Sequence, residues 1–253
     1  MSPEKSLSNL IHEQVAAAAD KLCLNQDLVD YIVNPMTEVR INFPVRLSDD
    51  AIAMFTAFRV QNSNLLGPCI GGLRFHPSVT LEDTRALALW NTLQNALVDV
   101  PFGGSMGGVV ISPARYSVRD IEHITRRLVY ALGQYMGADA DIVMPDINTN
   151  SQIMAWALDS YLTGLPPAVR NGNTHVVCGK PLRLGGIPGS RAAAGTGLAL
   201  LVKQWASENG IAINKSTFIV QGFGKVGTAA TAALVKAGRS EERRVGKECR
   251  SRW

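Results

Sequence analysis

The chain has few cysteines and no cysteine-pair motif. Cys23, Cys69, Cys178 and Cys249 are scattered, and no C-x-x-C occurs. That excludes an evident zinc or dithiol redox site, so free thiols and no metal are expected. Long apolar runs are missing as well. None approaches the ~18 residues of a membrane span, and no membrane partner is expected. The first residues, Met1-Ser2-Pro3-Glu4-Lys5, lack the basic-then-apolar layout of a secretion signal, so the expected location is cytoplasmic. An excess of one charge is absent too: 25 Lys and Arg oppose 21 Asp and Glu, for a net charge of +4. Five basic residues against three glutamates in 240–253 supply +2 of that. The remainder is too little to argue for nucleic acid. Internal repeats and low-complexity tracts are lacking.

What is present suits a large core. With 253 residues, 46% hydrophobic and 18% charged, the chain reads as globular, with room for more than one domain. Leu7, Leu10, Ile11, Val15, Ala18 and Leu22 recur at helical spacing, and a second short helix is expected over 26–33 after Asn25. The period then falls to two across Val39, Ile41, Phe43, Val45 and Leu47. After the turn at Ser48-Asp49-Asp50, 51–60 returns as the second strand of a hairpin. Thr80 to Asp83 reads as a capping box with Asp in place of Glu, opening a helix to about Ala96. Ile121, Ile124, Leu128 and Leu132 share one face of a helix expected over 119–136. Asn150 is the expected cap of the helix after D-I-V-M-P-D-I-N-T-N.

Two glycine-rich stretches stand out. In P-F-G-G-S-M-G-G-V-V-I, Gly103, Gly104, Gly107 and Gly108 flank Ser105 and Met106, and a strand is expected just after them. Four glycines in six positions imply either that side chains are excluded or that positive φ is required. The second stretch, G-F-G-K-V-G at 222–227, follows the apolar Phe218–Gln221 and heads an alanine-rich helix. A strand is expected at 218–221. In that context Gly222 makes the tight turn, Gly224 admits a pyrophosphate and Gly227 packs helix on strand. A structural glycine turn is the alternative. The second strand of such a unit, with an acidic residue about 20 positions on, is not found. R-S-E-E-R-R-V-G-K-E-C-R-S-R-W follows instead, and residues 240–253 are read as a foreign tail.

Four collinear stretches carry a resemblance: F-R-V-Q-N-S-N-L-L-G-P-C-I-G-G-L-R-F-H-P-S-V (58–79), A-L-V-D-V-P-F-G-G-S-M-G-G-V (96–109), M-P-D-I-N-T-N-S-Q-I-M-A-W (144–156) and G-K-P-L-R-L-G-G-I-P-G-S-R-A-A-A-G-T-G (179–197). From about residue 20 to 239 the chain resembles the Glu/Leu/Phe/Val dehydrogenase family, and within it the glutamate dehydrogenases. The resemblance implies an α/β protein with an N-terminal α/β substrate domain followed by an incomplete Rossmann dinucleotide-binding domain. The expected boundaries are 1–185 for substrate binding and dimerisation and 186–239 for the start of the NAD(P) domain. It also implies oxidative deamination of an amino acid to a 2-oxo acid with NAD or NADP, usually in hexamers.

The departures fall on the family's chemistry. The resembling members read G-G-x-K-G-G, and their lysine polarises the carbonyl or activates water at the reacting carbon. Here that position is Met106, whose thioether neither carries charge nor transfers a proton. General acid–base help of this kind is worth ~10²–10⁴-fold. The lysine before the next glycine pair, which reaches the substrate side chain, is Ile70, beside Gly71. The lysine for the α-carboxylate is Gln94, a neutral donor weaker by ~1–2 kcal/mol. Asp146 matches the family's proton-shuttling carboxylate and Asn148 a substrate contact; an Asx-type loop cap is the alternative for both. Arg74 either orients the loop or pairs on the surface. For the cofactor, the resemblance points to Gly222, Gly224, Lys225, which replaces a common Asn, Gly227, and Ala194, which replaces a threonine near the nicotinamide. Two readings stand: an amino-acid oxidoreductase, or a silent paralogue regulating an active dehydrogenase as part of a homo- or hetero-oligomer. With half the Rossmann sheet missing, poor cofactor binding is expected.

Overall fold

The structure, a computed structural model of the chain, describes residues 6–237. It is a mixed α/β protein in two compact units, Met1–Gly185 and Gly186–Trp253. The expected tail, 240–253, lies outside the described residues.

In the first unit the caps are local and chemical. Helix α1 (Leu7–Leu22) starts where the Ser6 hydroxyl accepts the Asn9 N–H, and α2 (Gln26–Val33) where Asn25 accepts that of Leu28. Strands β1 (Thr37–Arg46) and β2 (Ile52–Ser63) form the expected antiparallel hairpin, in register from Thr37↔Gln61 to Arg46↔Ile52. Then come β3 (Cys69–Phe75), α3 (Leu81–Leu97), β4 (Gly103–Val109), α4 (Val118–Leu132), β5 (Asp141–Pro145) and α5 (Ser151–Thr163). The sheet order is β1-β2-β4-β3-β5. β2–β4 is antiparallel, while β3–β4 and β3–β5 are parallel.

Each face of the sheet buries its own set of side chains. Phe43, Phe75, Val109 and Val143 pack with Ile124 and Leu128 of α4 and Met154 of α5. On the other face, Val60 and Met106 pack with Ala88 of α3, and α1 joins α3 through Ile11 and Leu89. Burying alternate residues on opposite faces fixes strand register, because a one-residue slip would exchange the two sets.

Four sequence expectations change. The strand is the glycine segment itself, Gly103–Val109, not the residues after it, and none of its glycines has positive φ. The Thr80 hydroxyl accepts the Asp83 N–H but donates to Asp83 Oδ2, so only half a capping box forms. The complete one, Ser117 with Asp120, opens α4. That helix ends at Leu132, where Gly133 turns to φ +50, and 133–135 form one 3-10 turn.

The fourth change lies in the second unit, which holds α6 (Ala193–Glu208) and α7 (Lys225–Lys236). They meet at Gly195, where a Cβ would lie 2.4 Å from Val226 O. Phe218–Gln221 does not form a strand. A strand exists only by hydrogen bonding to a neighbour, and this unit supplies none among the described residues; Ile219 is 89% exposed.

Candidate functional site

β4 lies at the centre of the sheet with both neighbours close. Alternation turns Gly104 and Met106 towards α3, and Ser105 and Gly107 to the opposite face. Glycine is required at 104 because α3 rests directly on it: a Cβ would lie 2.2 Å from Thr92 N and 2.6 Å from Ala88 O. Asn91 and Asn95, one turn apart on α3, donate to Ser105 O at 2.7 Å and Gly103 O at 2.8 Å. The glycines thus serve close approach of protein to protein, and the positive-φ alternative falls away.

Met106 is 5% exposed, packed against Val60 and Ala88. The Cβ that Gly72 lacks would lie 3.2 Å from Met106 Sδ, 2.8 Å from Asp146 Cβ and 3.3 Å from Asp146 Cγ. Gly72 is therefore the seat at which thioether and carboxyl meet. Asp146 Oδ2 accepts from Arg74 Nε at 2.6 Å, with both side chains partly exposed. The Asp146 N–H donates to Thr149 Oγ1 at 2.7 Å, and that hydroxyl donates to Leu73 O at 2.8 Å. Asn148, at φ +58, donates through Nδ2 to Phe75 O at 2.9 Å. The P-D-I-N-T loop is thereby stitched onto β3, and Arg74 orients it.

Ile70, half-buried on β3, shares the face of Gly72 and Met106, whereas Gly71 turns to the Ser105 side. Gln94 is exposed on α3, and the side chains that reach β4 from that helix belong to Asn91 and Asn95. The structure therefore gathers Ile70, Met106, Asp146 and Arg74 on one face of the sheet. It does not bring the Gln94 side chain into a hydrogen bond with them.

Behind this face lies a buried network that sequence reasoning missed. Arg59, 1% exposed, donates from Nε to Asp141 Oδ2 at 2.7 Å and from Nη2 to Oδ1 at 2.5 Å. Nη2 also reaches Ser105 Oγ at 2.8 Å, and Nη1 reaches Gly72 O at 2.9 Å. Ser105 Oγ donates to Asp141 Oδ1 at 2.6 Å, and Gln61 Nε2 to Oδ2 at 3.0 Å. Gly107 makes the room: a Cβ there would lie 2.8 Å from Arg59 Cδ. One guanidinium thus ties β2, β3, β4 and β5 together on the face of the sheet opposite Met106. Burial, and then the Asp141 carboxylate, push the neighbouring Cys69 thiol up to about 11, so it stays protonated at neutral pH. The sequence offered one signal for this network, a lone arginine between Phe58 and Val60 in an apolar strand.

In the second unit, Gly222 has φ +83, as a tight turn requires, and open space surrounds the Cβ positions of Gly222 and Gly224. At Gly227 a Cβ would lie 2.1 Å from Gly222 O, so only glycine lets the turn fold back on the helix. No side-chain cap hydrogen bond is formed at the start of α7, and a helix N-terminus after a glycine turn suits an anion. This stretch fits a phosphate of a dinucleotide. Lys225 stands at the first position of α7 and Ala194 near the start of α6. Among the described residues, no group of three His, Cys, Asp or Glu could hold a metal, and no helix is long and apolar enough to cross a membrane.

Residues 35–163 match the family model for the Glu/Leu/Phe/Val dehydrogenase dimerisation domain, and 185–241 that for the Glutamate/Leucine/Phenylalanine/Valine dehydrogenase domain. The chain is 39% identical over 225 residues to a glutamate dehydrogenase of Thermotoga maritima, covering 89% of this chain and 53% of that protein. It is 36% identical over 228 residues to a cryptic catabolic NAD-specific glutamate dehydrogenase of Bacillus subtilis, covering 88% and 51%. The chain thus spans about half the length of the curated relatives it matches. Among solved structures, it is similar to the hetero-hexameric glutamate dehydrogenase of Thermus thermophilus in its Leu-bound form. That match has a TM-score of 0.87 at 33% identity, over 94% of this chain and 57% of the other. The enzyme of Peptoniphilus asaccharolyticus gives 0.82 at 34% identity, over 93% and 58%.

Proposed function

The chain belongs to the Glu/Leu/Phe/Val dehydrogenase family, and from that premise we propose that it is a catalytically silent subunit that assembles with an active glutamate dehydrogenase and binds an amino acid without deaminating it. One observation carries this reading: Met106, at the position that the resemblance gives to the family's lysine, is buried and lies with Asp146 against Gly72. The glycines that would frame an ammonium at the reacting carbon are present, with the Arg59 network beneath them, but the group they would frame is absent. Without a charge or a proton donor there, the ~10²–10⁴-fold of acid–base assistance is lost together with stabilisation of the developing oxyanion.

Residues 1–185 are the substrate and dimerisation domain in this proposal, and 186–239 begin the NAD(P) domain. Ile70 offers an apolar wall to the ligand side chain, Gln94 a neutral donor to its carboxylate, and Asp146 an acceptor for its ammonium. Asn148 braces the loop. A leucine-bound hetero-hexamer among the solved structures supports both the mixed assembly and an apolar ligand. NAD or NADP, when bound, supplies hydride chemistry. The chain's own contribution is the turn of Gly222, Gly224 and Gly227 with the start of α7, flanked by Lys225 and Ala194.

A second reading, an oxidoreductase for an apolar amino acid, is favoured by Ile70 and by the retained Asp146. The two separate in one experiment. The purified protein is assayed for deamination of glutamate and apolar amino acids with NAD and NADP, then added to an active glutamate dehydrogenase. Silence alone, with co-purification and altered kinetics of the active subunit, is expected. Turnover near the ordinary ~10 s⁻¹ overturns the first reading, and recovery purely as a homo-oligomer overturns the partner role.

A further inference from the structure

A cavity of about 430 Å³ lies between α2 and the end of β2, apart from the site described above. Asp27, Asp30, Tyr31, Met36, Asn62 and Ser63 help to line it. Asp27 and Asp30 stand three residues apart on α2, so their carboxylates share a face. Neither forms an ion pair among the described residues, and Asp30 Oδ1 accepts from Gln26 Nε2 at 2.7 Å.

The telling residue is Asn62, 2% exposed. Its Nδ2 donates to Ile32 O at 3.2 Å, which fixes the sense of the amide, while its Oδ1 is buried with no hydrogen-bond partner. Orphaned buried acceptors of this kind are rare and call for an occupant. Pairing with β4 steps from Gln61↔Ser105 to Ser63↔Gly104 and skips Asn62. A bulge of this sort re-aims a side chain. The two carboxylates without an ion pair and the orphaned amide oxygen are all acceptors. A divalent metal is a poor match, because no group of three metal-ligating side chains exists among the described residues. An ammonium matches in charge and in donors, and Tyr31 and Met36 offer aromatic and apolar surface to a stem.

We propose that this cavity binds a primary ammonium group on a short aliphatic stem, with Asn62 Oδ1 as the buried acceptor and Asp27 and Asp30 supplying the charge. Binding there is independent of the Met106 site and stands or falls separately from the silent-subunit reading.

The test titrates the full chain with n-butylammonium chloride, beside n-butanol as the neutral isostere, by calorimetry and by the side-chain amide resonances of Asn62. Saturable one-to-one binding at millimolar concentration is expected, with movement of the Asn62 resonances and weakening in salt. It should fall at least tenfold in Asn62→Leu and in the double variant Asp27→Asn/Asp30→Asn. Both aspartates are exposed, so the double variant decides the matter if Asn62→Leu fails to fold. Lack of saturation, equal binding of n-butanol, or unchanged binding by the double variant (an adventitious amine only) overturns the proposal.

Discussion

Replacing Arg59 by methionine removes the cation at the centre of the sheet and leaves its volume largely filled. In the folded protein Asp141 is 0% exposed and accepts from Arg59 Nε and Nη2, Ser105 Oγ and Gln61 Nε2. After the substitution two of those four donors are gone, and with them the ion pair to the carboxylate. Gly72 O also loses its 2.9 Å donor. Breaking a buried pair on one side costs about 3–5 kcal/mol, because the surviving charge is left uncompensated. Against a typical total stability of about 5–15 kcal/mol, that is a large share. Arg59→Lys keeps the charge but not the two-pronged geometry, and should fall between wild type and Arg59→Met. Arg59→Met/Asp141→Leu removes both charges, so its cost should be smaller than the two single costs combined. Urea unfolding followed through Trp90 and Trp156, both in the first unit, measures each term. A cost below about 1 kcal/mol for Arg59→Met, or strict additivity in the double variant, would refute the reasoning.

The other consequences are smaller or more local. Gly104→Ala forces a methyl to within 2.2 Å of the α3 backbone; a loss of at least ~1–3 kcal/mol is expected in thermal melts, and an unchanged midpoint would count against close approach as the reason for glycine. Asp146→Asn breaks the pair with Arg74, but those side chains are 29% and 25% exposed, so stability should change by no more than about 1 kcal/mol in the same urea assay. Asp120 is held down to about 2, first by the Ser117 hydroxyl and then by the Ser48 N–H and hydroxyl, against the burial that raises it. Its folded value lies below the unfolded one, so its contribution is complete above about pH 4 and is lost as pH falls through 2. The stability gap between wild type and Asp120→Asn should therefore close across that window in acid titrations, and a gap that persists below pH 2 would contradict the assignment.

Much was legible from residue order because its causes are local. The spacing of apolar residues over Leu7–Leu22, the alternation in β1, and the caps at Asn25 and Asn150 depend on neighbours within one or two turns. The position of Met106 between glycine pairs was legible for the same reason: a motif is a short-range pattern. The half capping box at Thr80 and the early end of α4 show the limit, since the rotamer of Asp83 and the φ of Gly133 are conformations, not residue types.

Residue order alone was enough for the family, for most of the elements and for the placing of Met106 between two glycine pairs. Tertiary structure alone decided why the glycines are there, and what lies beneath them. Close approach of α3 to Gly104 and the seat that Gly72 gives Met106 and Asp146 are contacts between segments distant in the chain, and the Asn62 oxygen is orphaned only by the packing of α2 on β2. Arg59 and Asp141 are 82 residues apart, and nothing in either neighbourhood names the other. Phe218–Gln221 makes the same point from the opposite side. Its apolar run is written in the sequence, yet a strand is a relation between two segments, and with no neighbour among the described residues to share its hydrogen bonds the run does not become one.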